Sequence, residues 1–248
     1  MPAPDHAAVM PPGWPYYRLP SAYRDVLLQL ALFRADRDAA ARFVPEPLAP
    51  GDGTCLLATL DVPFSSSYGP FQESFLAIAC QLRADACAFI PLVFLNNPRA
   101  ICAGREIYGT PKVWADVTLE RHRDALLGRT RLDGATLIEL ETRSATPIPE
   151  ERLPRLFPAY RLKVIPSADG RGAAVKQLVT AAPSDARLTD PRVGSAEVRF
   201  HAAAGLDLRA LQPIGAVEGF TYRMSYLEGW GEIVYDYLAE GGGAPRSG

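Results

Sequence analysis

Residues 113–142 read VWADVTLERHRDALLGRTRLDGATLIELET, and their pattern decides the fold. Apolar and polar residues alternate through 113–119, 125–132 and 137–142, with Asp133-Gly134 as the clearest turn. An alternation of period two turns one face of each segment toward a core, so the stretch predicts three successive antiparallel strands. An Asp-Gly pair suits the hairpin because both positions tolerate positive φ.

Upstream, 74–82 and 87–95 are apolar runs joined by Arg83-Ala84-Asp85-Ala86, which predicts another hairpin closed by Asn96-Asn97-Pro98. Residues 54–64 are strand-like, and 26–33 form an apolar run broken only by Gln29, as in a strand buried on both faces. A short helix is expected over 36–43, with Asp36 or Asp38 as its cap and Pro45 as its stop. Pro50-Gly51-Asp52-Gly53 predicts a turn, 65–70 a loop, and 99–107 a second short helix with Gly109 and Pro111 just past its end. Downstream, 147–157 is a proline-bounded helix or coil, 161–165 pairs with 173–179 across Ala168-Asp169-Gly170, and 196–202, 216–226 and 231–237 are further strands. The sum is an α+β fold: one antiparallel, sheet-dominated domain over 21–239, with a curled or barrel-like sheet to hide its edges and a few peripheral helices. Residues 1–20, with six prolines, predict an extended arm, and 240–248 a flexible tail.

Composition removes several function classes. A net charge of −2 with no long basic run argues against nucleic acid as a partner. No apolar stretch is long enough to cross a bilayer as a helix, and no leader pattern opens the chain, so the expectation is a cytoplasmic protein without a membrane partner. Cys55, Cys80, Cys87 and Cys102 lack metal-site spacing and read as free, buried thiols. His6, His122 and His201 are scattered and no glycine-rich phosphate loop follows a strand, so neither a metal nor a nucleotide cofactor is indicated.

The chain holds three lysines, Lys112, Lys163 and Lys176, against twenty-three arginines. Lysine does what arginine cannot: its neutral amine is a nucleophile toward carbonyl carbon. Lys112 ends the segment Gly-Arg-Glu-Ile-Tyr-Gly-Thr-Pro-Lys at 104–112, which resembles the active-site segment of the acetoacetate decarboxylase family. Further segments agree with that family in order and spacing: Phe33-Arg34-Ala35-Asp36, Phe43-Val44-Pro45-Glu46-Pro47-Leu48, Phe71-Gln72-Glu73-Ser74, Tyr160-Arg161-Leu162-Lys163-Val164-Ile165-Pro166, and Glu232-Ile233-Val234-Tyr235-Asp236-Tyr237-Leu238. The resemblance implies a barrel-like β-structure, a homo-oligomer, and a Schiff base between Lys112 and a keto acid. An amine attacks only as the free base, and an unperturbed lysine titrates near ~10.4. In the family a neighbouring cation activates it. Here the adjacent position is Val113, which leaves desolvation by Pro111, Val113 and Trp114 as the expected cause.

By the same resemblance Glu73 is the catalytic carboxylate, relaying protons to the intermediates. Tyr108, four residues before Lys112, and Tyr68, in the loop before Glu73, are candidate substrate-binding residues. The family's second glutamate falls on Ala58 and its carboxylate-facing arginine near Val26, with Arg24 close by but out of register, so Arg24 is the substitute candidate. Arg105 and Glu106 read as a structural pair at a helix end, and Lys163 as structural. These departures tilt the expected reaction toward aldol condensation with dehydration, or cyclisation, of a 2-oxo acid. Decarboxylation of acetoacetate or a larger β-keto acid is the alternative, and a non-catalytic keto-acid-binding protein the third.

Overall fold

The computed structural model describes residues 18–155 and 158–239. The expected tail at 240–248, and the expected arm up to residue 17, lie outside the described residues. The described residues begin with β1 (Ser21–Arg34), α1 (Arg37–Ala41), β2 (Leu48–Val62), β3 (Phe64–Ser65), β4 (Phe71–Leu82) and β5 (Asp85–Leu95). Then come α2 (Pro98–Ala103) with a π-helical turn at Gly104–Tyr108, β6 (Lys112–Trp114), β7 (Asp116–His122), β8 (Ala125–Leu132) and β9 (Ala135–Pro147). The second half holds β10 (Ala159–Pro166), β11 (Ala173–Thr180), β12 (Pro183–Phe200), β13 (Ala202–Ala203), β14 (Leu206–Asp207), β15 (Glu218–Glu228) and β16 (Glu232–Asp236).

Among the described residues one 14-stranded sheet follows the path β16-β11-β10-β5-β4-β2-β1-β15-β12-β9-β8-β7, with β3 on β1 and β6 on β5. It is antiparallel except where β5 meets β10 and β6. The two ends of the path do not pair, so the sheet is curled and barrel-like rather than closed. No helix among the described residues is long and apolar enough to cross a membrane.

Burial on both faces explains the apolar run of β1. Val26, Leu28 and Leu30 pack with Leu56, Leu60 and Val93 on one face. Ala31 and Phe33 pack with Leu57, Leu76, Leu137 and Leu140 on the other, over which the β7 to β9 portion of the sheet folds back. Gln29 sits on this second face and ties the layers: its Nε2 donates to the carbonyls of Leu126 (2.9 Å) and Leu140 (3.0 Å) and to Thr142 Oγ1 (3.2 Å). Only glycine fits opposite, since a Cβ on Gly128 would lie 2.6 Å from both Gln29 Oε1 and Thr59 Oγ1.

Several local expectations change. Pro50 to Gly53 does not end a strand; it forms a bulge within β2, where register passes from Pro50 opposite Cys80 to Cys55 opposite Ile78. The run 113–119 divides at Ala115, because β6 pairs with β5 while β7 pairs with β8. α2 starts at Pro98, capped by Asn97, whose side chain accepts from the amides of Arg99 and Ala100. β12 begins thirteen residues before the expected strand, since Pro183, Pro191 and the positive φ of Asp185 and Asp190 hide its alternation. The four cysteines are free, with Cys55, Cys80 and Cys87 buried.

Candidate active site

Strand register builds the site. On β4 and β5, Glu73 stands opposite Leu95 and Phe75 opposite Val93, and Val93 in turn stands beside Lys112 of β6. Residues in register project to the same side of a sheet, so Glu73, Phe75, Val93 and Lys112 share a face. Lys112 Nζ lies 2.9 Å from Glu73 Oε2, with the two side chains only 13% and 15% exposed. Lys112 Nζ also sits 5.9 Å from the centroid of Phe71.

Glycine lets the lysine lie there. A Cβ on Gly104 would come within 2.4 Å of Lys112 Cδ and 2.7 Å of Cε, so the stem runs across bare backbone of the π turn. Gly109 ends that turn at φ 67°, and its own Cβ would strike the backbone of Lys163 on β10. Lys163 Nζ donates to Ile107 O at 3.3 Å, which fits the structural part expected of it. Arg105 does not pair with Glu106; its guanidinium donates to the Lys112 carbonyl at 3.2 Å and steadies the strand that carries Lys112.

Lys112 and Glu73 line a cavity of about 210 Å³. Its apolar lining is formed by Leu28, Leu30, Leu56, Leu60, Phe75 and Val93. Its polar lining includes Tyr108, Arg161, Tyr222, Tyr226 and Glu228. Tyr108 is buried and its hydroxyl donates to Gly229 O at 2.5 Å. Burial, then the Glu228 carboxylate, pushes its phenol well up, so it stays a donor at neutral pH. Tyr226 is raised for the same two reasons, and Tyr222 is pushed by burial up to about 12. Glu228 accepts a hydrogen bond of 2.8 Å from Tyr23, whose ring stacks on Tyr226 at 4.6 Å. A larger hollow of about 300 Å³ opens elsewhere between Arg121, Asp124, Asp190, Arg192 and Arg223. Its charges are largely spent on exposed neighbours, such as Arg192 with Asp190 and Arg223 with Asp25, both at 2.8 Å. The enclosed lysine and carboxylate make the smaller cavity the candidate.

A family model described as Acetoacetate decarboxylase (ADC) matches residues 6–238. The chain belongs to the acetoacetate decarboxylase family. An acetoacetate decarboxylase of Burkholderia mallei (strain NCTC 10229) is 31% identical over 218 residues, 84% of this chain and 85% of that one. The crystal structure of acetoacetate decarboxylase from Legionella pneumophila matches with a TM-score of 0.85 at 22% identity, covering 93% of this chain and 94% of that one. The enduracididine biosynthesis enzyme MppR complexed with pyruvate matches with a TM-score of 0.75 at 19% identity, covering 90% and 93%. Membership brings the enzyme class: a Schiff-base lyase of decarboxylase or aldolase-dehydratase type.

Against the family's pattern, the structure corrects three expectations. Val113 and Trp114 do not enclose the lysine, being 42% and 57% exposed; Phe71, the Gly104 backbone and the cavity wall do. Arg24 lies outside the cavity, exposed, with its guanidinium 5.0 Å above the Phe64 ring. The cause is a bulge in β1 between Tyr23 and Val26, with Asp25 at φ 55°, which lets both Tyr23 and Val26 face inward and turns Arg24 out. Tyr68 is buried against Tyr23, ring centroids 6.3 Å apart, rather than on the cavity wall. Val26 and Ala58 sit in the apolar core beside the cavity. Sequence reasoning assigned no role to Arg161, Glu228 or Gly104. The available signal for Arg161 was its place next to Tyr160, whose ring faces the opposite core.

Proposed function

We propose that this family member condenses Lys112 with a 2-oxo acid and uses the resulting enamine for aldol addition and dehydration. The observation that carries this is the Lys112–Glu73 contact of 2.9 Å in the wall of a cavity that leucines share with Arg161, Glu228 and three tyrosines. The Lys112 amine forms a C–N bond to the carbonyl carbon, and the carbonyl oxygen, twice protonated, leaves as water to give the protonated imine. That cation draws in the electron pair of a neighbouring C–H bond as Glu73 takes the proton, and an enamine results. The enamine carbon bonds to an aldehyde carbon, a second C–H proton and the new hydroxyl depart as water, and hydrolysis of the imine restores the amine. Glu73 is placed to accept and return the protons because its carboxylate already touches Nζ. The MppR complex supports pyruvate-like 2-oxo acids as the class to try first.

A second reading is decarboxylation of a β-keto acid, favoured by the 31% identity to a curated acetoacetate decarboxylase. The two part at one step: the imine loses either a proton or CO2. Pyruvate in D2O with the enzyme should exchange its methyl protons, seen by NMR, while acetoacetate releases no CO2 above the uncatalysed rate. Rapid CO2 release without methyl exchange would replace the first reading by the second. Binding of both acids with neither exchange nor CO2 release would leave a keto-acid-binding protein.

A further inference from the structure

We propose that Arg161 receives the substrate carboxylate, and that the leucines lining the same cavity select a keto acid bearing an apolar substituent. This rests on imine formation at Lys112. Tyr160 of β10 stands in parallel register with Phe89 of β5, which puts Arg161 beside Ile90 on the cavity side. Its Nε is buried without a hydrogen-bond partner, and its Nη1 reaches only the Ala181 carbonyl, at 3.5 Å. Among the described residues no carboxylate lies within ion-pair distance of it. The two acids whose fields favour its charge are already engaged, Glu228 by the Tyr23 hydroxyl and Glu73 by Lys112. A guanidinium with a buried, idle N–H is held at a cost that a bound anion removes. Its planar fork matches a carboxylate in a way that a lysine head does not.

Lys112 and Arg161 border the same 210 Å³ cavity, so one molecule can place its carbonyl at the first and its acid group at the second. In the same cavity Leu28, Leu30, Leu56, Leu60 and Phe75 offer no polar partner, which suits an alkyl or aryl substituent and not a second charge. A carboxylate held by a guanidinium is also stabilised where it stands, which opposes handing its electrons to the imine and suits chemistry that keeps the acid.

The test is borohydride trapping of 2-oxohexanoate, pyruvate and the neutral ketone 2-hexanone on the wild-type chain and on Arg161→Met and Arg161→Lys, read by intact mass. The wild type should trap 2-oxohexanoate at lower concentration than pyruvate, and at least about ten-fold more readily than 2-hexanone. In Arg161→Met the acid-to-ketone ratio should fall to near one, and Arg161→Lys should recover only part of it. A ratio unchanged in Arg161→Met, with acid and ketone both falling or neither, overturns the assignment and leaves Lys112 chemistry standing. Pyruvate trapped in preference to 2-oxohexanoate overturns the apolar selection. Failure of the wild type to trap any of the three overturns the imine reading and this one with it.

Discussion

Leu28 and Gln29 are neighbours on β1 and live in different regimes. Leu28 turns toward a cavity whose lining includes a lysine, an arginine, two glutamates and three tyrosines. Gln29 turns toward a closed core where three acceptors share its amide hydrogens and a glycine gives it room. The same split runs through β2, where Leu56 borders the cavity and Leu57 is sealed in the other core. One face of this sheet packs into a closed core, and the other packs around a cavity that also holds charged side chains. Substitutions on the two faces should therefore fail in different measurements.

The largest separation is expected at Glu73. Glu73→Gln keeps the shape and removes the base, so turnover should fall about 10²- to 10⁴-fold, with the circular dichroism spectrum unchanged. A loss under five-fold would remove Glu73 from the proton transfers.

How much of this division the sequence displays depends on what sets it. The alternation at 125–132 reappears as β8 over the same residues, because packing of one face is a local pattern. Lys112 and Glu73 were legible only through family resemblance. Their contact spans thirty-nine residues and depends on pairing across β4, β5 and β6, with a bulge between Leu76 and Ile78 that no periodicity reveals. Arg161 was hidden by a regular pattern. In Tyr160-Arg161-Leu162-Lys163 the basic residues alternate with apolar ones, as they would with one face in water, yet Arg161 faces the cavity and Lys163 the π turn. Arg24 misled for the opposite reason, since the bulge at Arg24-Asp25 breaks the alternation that would have turned it inward.

Next in size is stability on the closed face. Leu57→Ala should cost about 2–5 kcal/mol in urea unfolding, because the side chain is fully buried among packed neighbours. Leu56→Ala, which borders a cavity already present, should cost less than half as much. Equal losses would mean that the two faces are packed alike.

The cavity tyrosines make a smaller, pH-dependent mark. Burial raises the Tyr222 phenol from 10.0 to about 12, so the folded chain holds a proton that the unfolded chain releases near 10. Its contribution is fully present below pH 10 and fades as pH rises toward 12, by ~1.4 kcal/mol between about pH 9 and 11. Tyr222→Phe should flatten the fall in stability over that range by this amount, and an unchanged slope would place the phenol in water. The smallest effect is expected at Arg24→Ala, which should alter stability by less than ~0.5 kcal/mol and leave turnover as it was. A turnover loss of ten-fold or more would restore Arg24 to the site.

One amine, set over Gly104 and against Glu73, is proposed to bond covalently to a carbonyl. Peptide mapping after reduction of the enzyme with borohydride in the presence of pyruvate should find a single reduced adduct, on Lys112, absent from Lys112→Arg. An adduct confined to Lys163 or Lys176, or one that persists in Lys112→Arg, would contradict it.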